Sequence, residues 1–576
     1  MQPPGPKSGE LQEERMREEQ TVVGRGRQRW TPVWGVAAVF CLAAATAGGA
    51  QQAAAGQQPG ASTQQTPASA PQGQAQSASP SSDQQETRIT PEQAKELFGL
   101  VDELLQFSSQ ETGLPIKSTV KRQITSRAAV ESYLKAKFDE DQSAKRLQQS
   151  EIVLKKFGLL DRDFALKPFL LALLKEQIEA YYDSKTKTVN ILDWVDIEEQ
   201  KPVLAHELTH ALQDQHFDLE KWSDQTPDNV SLNSSDDTDH LAKDELDDAR
   251  DAVIEGQATA VMMDYILKPM GKSLIKDPEV TEFVKQQMSA PDSSPVLARA
   301  PLLLSESLLF PYKEGLSFEQ DVWMDEGQAA AFTGTMDRPP SSTWEIINPR
   351  EYERKHVPSV PLLPDIHPLV DKFYKPYDIG QVGQLDLHIL AELFGGDDAA
   401  RDFTPAWDGG IYWAGQRLSA KTAAEQASTN SLALFYLSAW KNPASAQAFA
   451  QLYANELGRK YSGLKPDLAA QHSAAPDLRS GSQELVFSTN EGPVLITTRG
   501  KLVFVAESFD IGLARKLGAL ILDAQGAGEL KMADHTASPE LPTQQASQAL
   551  TANMVRFFLN CGVMKAAVEA AVGAGR

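Results

Sequence analysis

The sequence predicts a mixed α+β protein in which a mostly helical domain precedes a smaller α+β domain. Two observations support this order. Beyond a proline-rich stretch at 357–368, "VPSVPLLPDIHP", the chain contains strand-like runs such as "SLALFYLSAW" and "QELVFSTNEGPVLITTRGKLVFVAE". Before it, apolar residues recur mainly at helical spacing, over 91–106, 127–138, 142–157, 167–179 and 242–267. With 576 residues, the chain is long enough for two or more domains.

The N-terminal region has the features of a targeting segment. Residues 30–50 are apolar, "WTPVWGVAAVFCLAAATAGGA", end in small residues and follow three arginines at 25, 27 and 29. This pattern predicts that residues 1–50 are a signal peptide or a single N-terminal membrane anchor. The protein is therefore expected outside the cytoplasm: periplasmic, in the cell envelope or secreted. Residues 51–88 are rich in Gln, Ala, Ser and Pro and predict a disordered linker.

The remaining boundaries follow from changes in pattern along the chain. We expect a mostly helical domain over 89–356, a connecting segment over 357–408 and a small α+β domain over 409–525. Residues 526–576 are predicted to form a linker and an apolar tail helix. Within the first domain, "AYYDSKTKTVNILD" at 180–193 predicts a hairpin or an edge strand. Pro202 is expected in the first turn of the helix that follows.

Charge and cysteine content exclude several kinds of partner and site. The formal net charge is −23, which argues against binding to nucleic acid or to anionic membrane surfaces. The chain has two cysteines, Cys41 and Cys561, at opposite ends, so no cysteine cluster can hold a metal. A metal site would therefore use His, Asp or Glu. Composition does not indicate the oligomeric state.

The segment "HELTH", 206–210, carries the strongest chemical pattern in the chain. On a helix, residues four apart point in directions only about 40° apart, so His206 and His210 can bind one metal ion. Two imidazoles at this spacing favour Zn²⁺, which lowers the pKa of bound water to about 7. Glu207 lies beside the pair and is the predicted general base.

A catalytic zinc site needs a third protein ligand, and there are two candidates. His216 lies ten residues after His206, which is the metzincin spacing, but that pattern requires a glycine where this chain has Gln213. In a continuous helix His216 would point away from the metal. Glu255 lies in "VIEGQATAVMMDY", where a carboxylate on an apolar helix face would be costly unless it were paired or bound to metal. Gly256 would allow close approach of another helix. We therefore favour Glu255.

This combination resembles the gluzincins, zinc metallopeptidases related in fold to thermolysin. The resemblance implies a zincin-like domain with zinc ligands His206, His210 and Glu255 and with Glu207 as base. The segments "EQIEAYYDSKTKTVNI", "LAHELTHALQDQHFDL", "IEGQATAVMMDY", "LLFPYKEGLSF" and "PPSSTWEIINPREY" also resemble a family of largely uncharacterised bacterial extracytoplasmic metallopeptidase-like proteins. Two positions depart from these patterns: Thr259 replaces an aspartate that orients a ligand histidine, and Asn348 replaces a histidine.

The resemblance also suggests how a substrate would bind. Residues 181–192, with Tyr181 and Tyr182, would form an edge strand that pairs with an extended peptide or protein substrate. The candidates for a transition-state donor are Tyr265, Tyr312, Arg350, Tyr352 and His356. The expected function is zinc-dependent endopeptidase activity outside the cytoplasm. The alternative is a zinc-bearing scaffold or binding protein of the cell envelope with little or no turnover.

Overall fold

The computed structural model describes residues 89–138, 141–177, 180–195, 197–223, 241, 243–288, 295–356, 358–472 and 482–525. These residues all belong to one compact unit. The predicted leader at 1–50, the linker at 51–88 and the tail at 526–576 lie outside the described residues. Within the described ranges, no helix combines the length and the apolar character needed to cross a lipid bilayer.

The fold is mixed α+β, as the sequence predicts. The longer helices are α1 (Pro91–Thr112), α2 (Arg127–Phe138), α3 (Asp141–Phe157), α4 (Leu166–Gln177), α5 (Ile197–Phe217), α6 (Lys243–Leu267), α7 (Glu279–Met288), α8 (Leu302–Glu326), α9 (Gln384–Phe403), α10 (Pro443–Lys460) and α11 (Ile511–Ala524). The strands are β1 (Lys121–Thr125), β2 (Ala180–Asp183), β3 (Thr188–Leu192), β4 (Tyr374–Gln381), β5 (Trp407–Arg417), β6 (Leu432–Trp440), β7 (Lys465–Pro466), β8 (Ser482–Thr489), β9 (Gly492–Arg499) and β10 (Leu502–Glu507).

Shorter helical segments complete the chain. They cover Leu219–Ser223, Lys268–Met270, Leu297–Arg299, Ala330–Gly334, Thr335–Asp337, Thr343–Ile347, Pro349–Glu353, His367–Val370, Thr404–Ala406, Ala423–Gln426, Thr429–Ser431 and Leu468–His472. Of these, Ala330–Gly334 is a π-helical turn.

A small three-stranded sheet supports the start of α5. Its order is β1–β3–β2, with β1 parallel and β2 antiparallel to the central strand β3. The predicted hairpin is therefore confirmed, and β2 is an edge strand. All five residues of β3 are buried, which explains their run of Val, Ile and Leu around polar positions.

Helix α5 starts earlier than its proline suggests. It begins at Ile197, so Pro202 lies inside the helix rather than in its first turn, and that expectation was wrong. The missing N–H of Pro202 leaves one carbonyl of the opening turns without its usual partner. The rest of α5 is a buried core helix: Val203, Leu204, Leu208, Ala211 and Leu212 are fully buried.

Helix α6 packs against α8 with almost no space between the two backbones. A Cβ atom added to Gly256 would lie 2.4 Å from the backbone of Gly315. A Cβ atom added to Gly315 would lie 2.2 Å from the carbonyl oxygen of Ala252. The predicted role of Gly256 in close helix approach is therefore confirmed, and α8 is its partner.

The C-terminal part is a seven-stranded antiparallel sheet in the order β4–β5–β6–β10–β9–β8–β7. Apolar residues of α10 pack in the core on one face, and those of α11 pack in the core on the other. The sheet begins at Tyr374, inside the segment 357–408 that was predicted to be only a connection. Pro376 obscures β4 in the sequence, but an edge strand tolerates a proline because its outer N–H has no ladder partner.

Candidate metal centre

Helix α5 places the two histidines of the "HELTH" segment on one buried face. His206 is fully buried and His210 is 3% exposed. Their Nε2 atoms lie 2.9 Å apart, because residues four apart are neighbours on a helix surface. Both imidazoles therefore present the same ring nitrogen to one point.

Glu255 of α6 completes a three-residue cluster at that point. Its Oε2 atom lies 3.1 Å from His206 Nε2 and 3.4 Å from His210 Nε2. Within the described part of the chain, this is a cluster of His, Asp, Glu or Cys side chains whose ligand atoms all lie within 4.8 Å of one another. Ligand atoms about 2.1 Å from a tetrahedral zinc ion lie roughly 3.4 Å apart, so the observed spacings of 2.9 to 3.4 Å are close to those of such a site.

The orientation of His210 is set by Gln213, one turn further along α5. His210 Nδ1 lies 2.9 Å from Gln213 Oε1, an acceptor, so Nδ1 carries the hydrogen. In the neutral imidazole, that tautomer places the lone pair on Nε2, which faces the cluster. Sequence reasoning considered Gln213 only as the residue that replaces a metzincin glycine. The overlooked feature was its i,i+3 spacing from His210.

Thr259 forms no hydrogen bond to either histidine of the cluster among the described residues. Thr259 is fully buried, and its Oγ1 has no hydrogen-bond partner among the described residues. The Nδ1 atom of His206 is buried and lacks a partner in the same ranges. This candidate ligand histidine therefore has no hydrogen bond on its outer side within the described ranges.

Glu207 faces the edge strand of the small sheet. Its Oε2 accepts a hydrogen bond from the backbone N–H of Tyr182 at 2.7 Å, and its buried Oε1 has no partner among the described residues. Burial, the largest effect, raises the pKa of Glu207 to about 8. A cation in the adjacent cluster would lower that pKa by favouring the charged carboxylate.

Burial and mutual contact shift the pKa values of the three candidate ligands in different directions. Burial lowers the pKa of His206 to about 4, so its imidazole is neutral. Burial would also lower the pKa of His210, but the Glu255 carboxylate outweighs this and raises it to about 9. Burial would raise the pKa of Glu255, yet the two histidines hold it well below its usual range. The carboxylate is therefore ionised, and metal binding would displace a proton from the histidine pair.

His216 lies apart from this cluster. Its Nε2 atom is 2.7 Å from the carbonyl oxygen of Pro115, to which it donates. The helix continues through Gln213 to Phe217 without the sharp turn that a third histidine ligand would need. Its position agrees with the reasoning that favoured Glu255 over His216.

Of the proposed transition-state donors, Tyr312 lies beside the cluster. It is fully buried on α8, with its ring centroid 6.4 Å from that of His206. The hydroxyl of Tyr352 donates to the carbonyl of Arg338, and His356 pairs with Glu351. Tyr265 packs edge-on against Phe107.

Two further positions from the resemblance lie outside the cluster. Arg350 is exposed on a short helical segment. The side-chain amide of Asn348 donates to the carbonyl of Trp344 and to Gln384. Asn348 thus links two helical segments.

Tyr182 fastens the edge strand β2 to helix α5 at two points. Besides its backbone bond to Glu207, its hydroxyl donates to Asp214 Oδ2 at 2.7 Å. Lys187 Nζ lies 2.7 Å from the same oxygen. A cavity of about 330 Å³ opens beside this strand, between residues 117–120 and the last turns of α5. Its lining includes Tyr182 and Asp214 but none of the three candidate ligands.

No protein-family model, curated protein or solved structure matches this chain. The resemblance to gluzincins therefore rests on the quoted residues alone.

Proposed function

We propose that this protein is a zinc-dependent peptidase that hydrolyses peptide bonds with Glu207 as general base. The observation that carries the proposal is the convergence of His206 Nε2, His210 Nε2 and Glu255 Oε2 beside a buried carboxylate oxygen of Glu207. Two neutral donors and one carboxylate from two helices are the donor set of a gluzincin-type site. Zn²⁺ held by these residues would supply Lewis-acid chemistry that acidifies water and polarises a carbonyl.

Glu207 would then handle the proton. Its Oε1 atom is available to accept a proton from the attacking water and to pass it to the departing amine. The Tyr182 amide holds the other oxygen and so orients the carboxylate. An extended peptide or protein substrate pairing with the outer edge of β2 would compete with Glu207 for that amide.

Two experiments on the full-length protein test this proposal. Bound metal is measured in the wild type and in His206→Ala, and we expect near-stoichiometric zinc in the first and loss in the second. Cleavage of unfolded proteins and peptides is then compared with Glu207→Gln, which should keep zinc but lose activity by a factor of about 100 or more. Wild-type protein without zinc, or equal cleavage by Glu207→Gln, would contradict the proposal.

Burial of the cluster favours a second candidate, a zinc-bearing scaffold or binding protein of the cell envelope. His206 is fully buried, His210 is 3% exposed and Glu255 is 7% exposed. A peptide could reach these atoms only after neighbouring side chains had moved. This candidate predicts tightly bound zinc and no cleavage even at high protein concentration, whereas the peptidase predicts both zinc and cleavage.

The proposal includes a location outside the cytoplasm, because the family that the sequence resembles is extracytoplasmic. It rests on the apolar segment at 30–50 and the preceding arginines. Cell fractionation followed by N-terminal sequencing tests it. A mature chain that starts near residue 51 would indicate a cleaved leader, and an intact chain in the membrane fraction would indicate an anchor. Intact chain confined to the cytoplasm would refute the location.

A further inference from the structure

A chain of buried side-chain amides extends from His210 into the core between α6 and the π-helical turn Ala330–Gly334. Gln213 accepts from His210 Nδ1, and its Nε2 donates to Gln257 Oε1 at 2.9 Å. Gln257 Nε2 donates in turn to Thr335 Oγ1 and to the Ala331 carbonyl, both at 2.9 Å. Gln213, Gln257 and Thr335 are all fully buried.

The geometry points to Gln213 and Gln257 as positioning residues that hold His210 in the tautomer and orientation of a metal ligand. This inference rests on the zinc site of the proposed function. It extends that site by naming the groups that act through His210 rather than on the metal.

Main-chain carbonyls determine which end of each side-chain amide in this series donates and which accepts. A carbonyl can only accept, so the Ala331 carbonyl requires the NH₂ group of Gln257 to face it. Gln257 therefore presents its oxygen to Gln213. The Ile254 carbonyl, 3.1 Å from Gln213 Nε2, orients the second amide in the same sense. Gln213 must then present its oxygen to His210, which places a hydrogen on Nδ1 and makes Nε2 the nitrogen that would bind a metal once the imidazole is neutral.

An amide in this place has a chemical consequence. A carboxylate partner raises the basicity of a ligand histidine, whereas a neutral amide orients the ring with less effect on its charge. Thr259, the position where gluzincins carry an aspartate, has no hydrogen bond among the described residues through its Oγ1. The amide chain therefore serves the other histidine, His210, through Gln213 of α5 and Gln257 of α6.

The test measures metal binding by the full-length protein rather than activity. Zinc dissociation constants are obtained by chelator competition, and the visible spectrum of the cobalt-loaded protein reports the geometry around the metal. Gln213→Met keeps the side-chain length but removes the acceptor. We expect 10- to 100-fold weaker zinc binding and an altered cobalt spectrum, as is usual when an outer-shell partner is lost. Gln257→Met should show a smaller loss, and the double variant should bind zinc no more weakly than Gln213→Met.

Gln200→Met is the matched control. Gln200 lies on the same helix, is fully buried and bonds the main chain at Leu192 and Val195 without touching the cluster. It should lose stability but keep wild-type zinc affinity. Wild-type affinity and spectrum in Gln213→Met, or additive losses in the double variant, would overturn the inference. If Gln213→Met does not fold, Gln257→Met decides, because an unchanged zinc affinity there has the same meaning. Zinc bound without peptide cleavage would refute only the proposed function, whereas wild-type protein that binds no zinc would refute both.

Discussion

The two histidines of the cluster differ in the hydrogen bonding of their Nδ1 atoms, which point away from the cluster. His210 Nδ1 is bonded to Gln213, whereas His206 Nδ1 is buried without a partner among the described residues. An unpaired buried polar atom costs about 1–3 kcal/mol, so His206 is held by packing and by Glu255 at some expense of stability. Such a cost is typical of functional sites, where residues are retained for their chemistry although they lower stability.

Glu255 supplies the carboxylate of the cluster, and a variant that removes its negative charge tests its role as a ligand. In Glu255→Gln the shape is retained but the negative charge beside the two histidines is lost. We expect zinc affinity to fall by at least about 100-fold, because a direct ligand matters at least as much as an outer-shell partner. Chelator competition on the purified variant measures this.

Glu245→Gln is the control for Glu255→Gln. Glu245 is also buried on α6, but it bonds Thr343, and burial raises its pKa well above the usual range. It lies ten residues before Glu255, about 15 Å along the helix axis, so zinc affinity should stay within about twofold of wild type. Equal zinc affinities for Glu255→Gln and wild type would remove Glu255 from the ligand set.

At the scale of elements, the contact between α6 and α8 decides where Glu255 lies. Gly256→Ala would place a methyl group 2.4 Å from the backbone of Gly315, which forces the helices apart. We expect the free energy of unfolding to fall by about 1–3 kcal/mol or more, with weaker zinc binding because Glu255 is the adjacent residue. Urea denaturation measures the first effect.

The control for Gly256→Ala is Gly99→Ala, in the exposed face of α1. A Cβ atom added there meets nothing within 4 Å. The free energy of unfolding of this variant should rise by about 0.5–1 kcal/mol, because alanine loses less conformational entropy than glycine when the helix forms. A Gly256→Ala protein as stable as Gly99→Ala would mean that the helices are not in backbone contact.

The edge strand β2 depends on Tyr182 for its attachment to α5. Tyr182→Phe removes the bond to Asp214 but leaves the backbone bond to Glu207. We expect a loss of about 1–2 kcal/mol and faster amide hydrogen exchange over 180–192, measured by mass spectrometry. Tyr352→Phe, which removes a hydroxyl bond to Arg338, should not alter exchange in β2. Unchanged exchange in Tyr182→Phe would show that the hydroxyl does not hold the strand.

Most elements could be predicted from sequence because their periodicity is local. The predicted helix at 127–138 has the observed bounds, and the strand-like run at 483–507 forms the three strands β8, β9 and β10. The exceptions contain proline. Pro202 lies inside α5 and Pro376 lies in β4, and in both places the surrounding packing outweighs the local preference.

At the scale of the whole molecule, buried charges join helix α3 to the C-terminal sheet. Lys156 is fully buried, with Nζ 2.8 Å from Glu491 Oε2 and 2.7 Å from Ser508 Oγ. Removing one member of a buried pair costs about 3–5 kcal/mol. Glu491 would keep its ion pair with Arg162 at 2.9 Å, which favours the lower end of that range. We expect a loss of this size in Lys156→Met by urea denaturation at pH 7. Arg401→Met, which breaks an exposed ion pair with Asp398, should change stability by less than about 1 kcal/mol.

The same lysine predicts a dependence on pH. Burial, opposed by Glu491, lowers the pKa of Lys156 from 10.5 to about 8. Between these values the unfolded chain binds more protons than the folded one, so the contribution of Lys156 to stability rises with pH. The difference in unfolding free energy between wild type and Lys156→Met should therefore widen by about 2 kcal/mol from pH 7.5 to 9.5. A constant or shrinking difference would contradict the lowered pKa.

Helical spacing alone predicts that His206 and His210 share one helix face with Glu207 beside them, because this spacing is a property of neighbours in the chain. The cost of a carboxylate on an apolar face also points to Glu255. Three features are visible only in the folded chain: Glu255 meets the histidines, Gln213 and Gln257 are hydrogen-bonded in series to His210, and the cluster is buried. These features depend on how α5, α6 and α8 pack, and such long-range contacts leave no periodic pattern in the sequence.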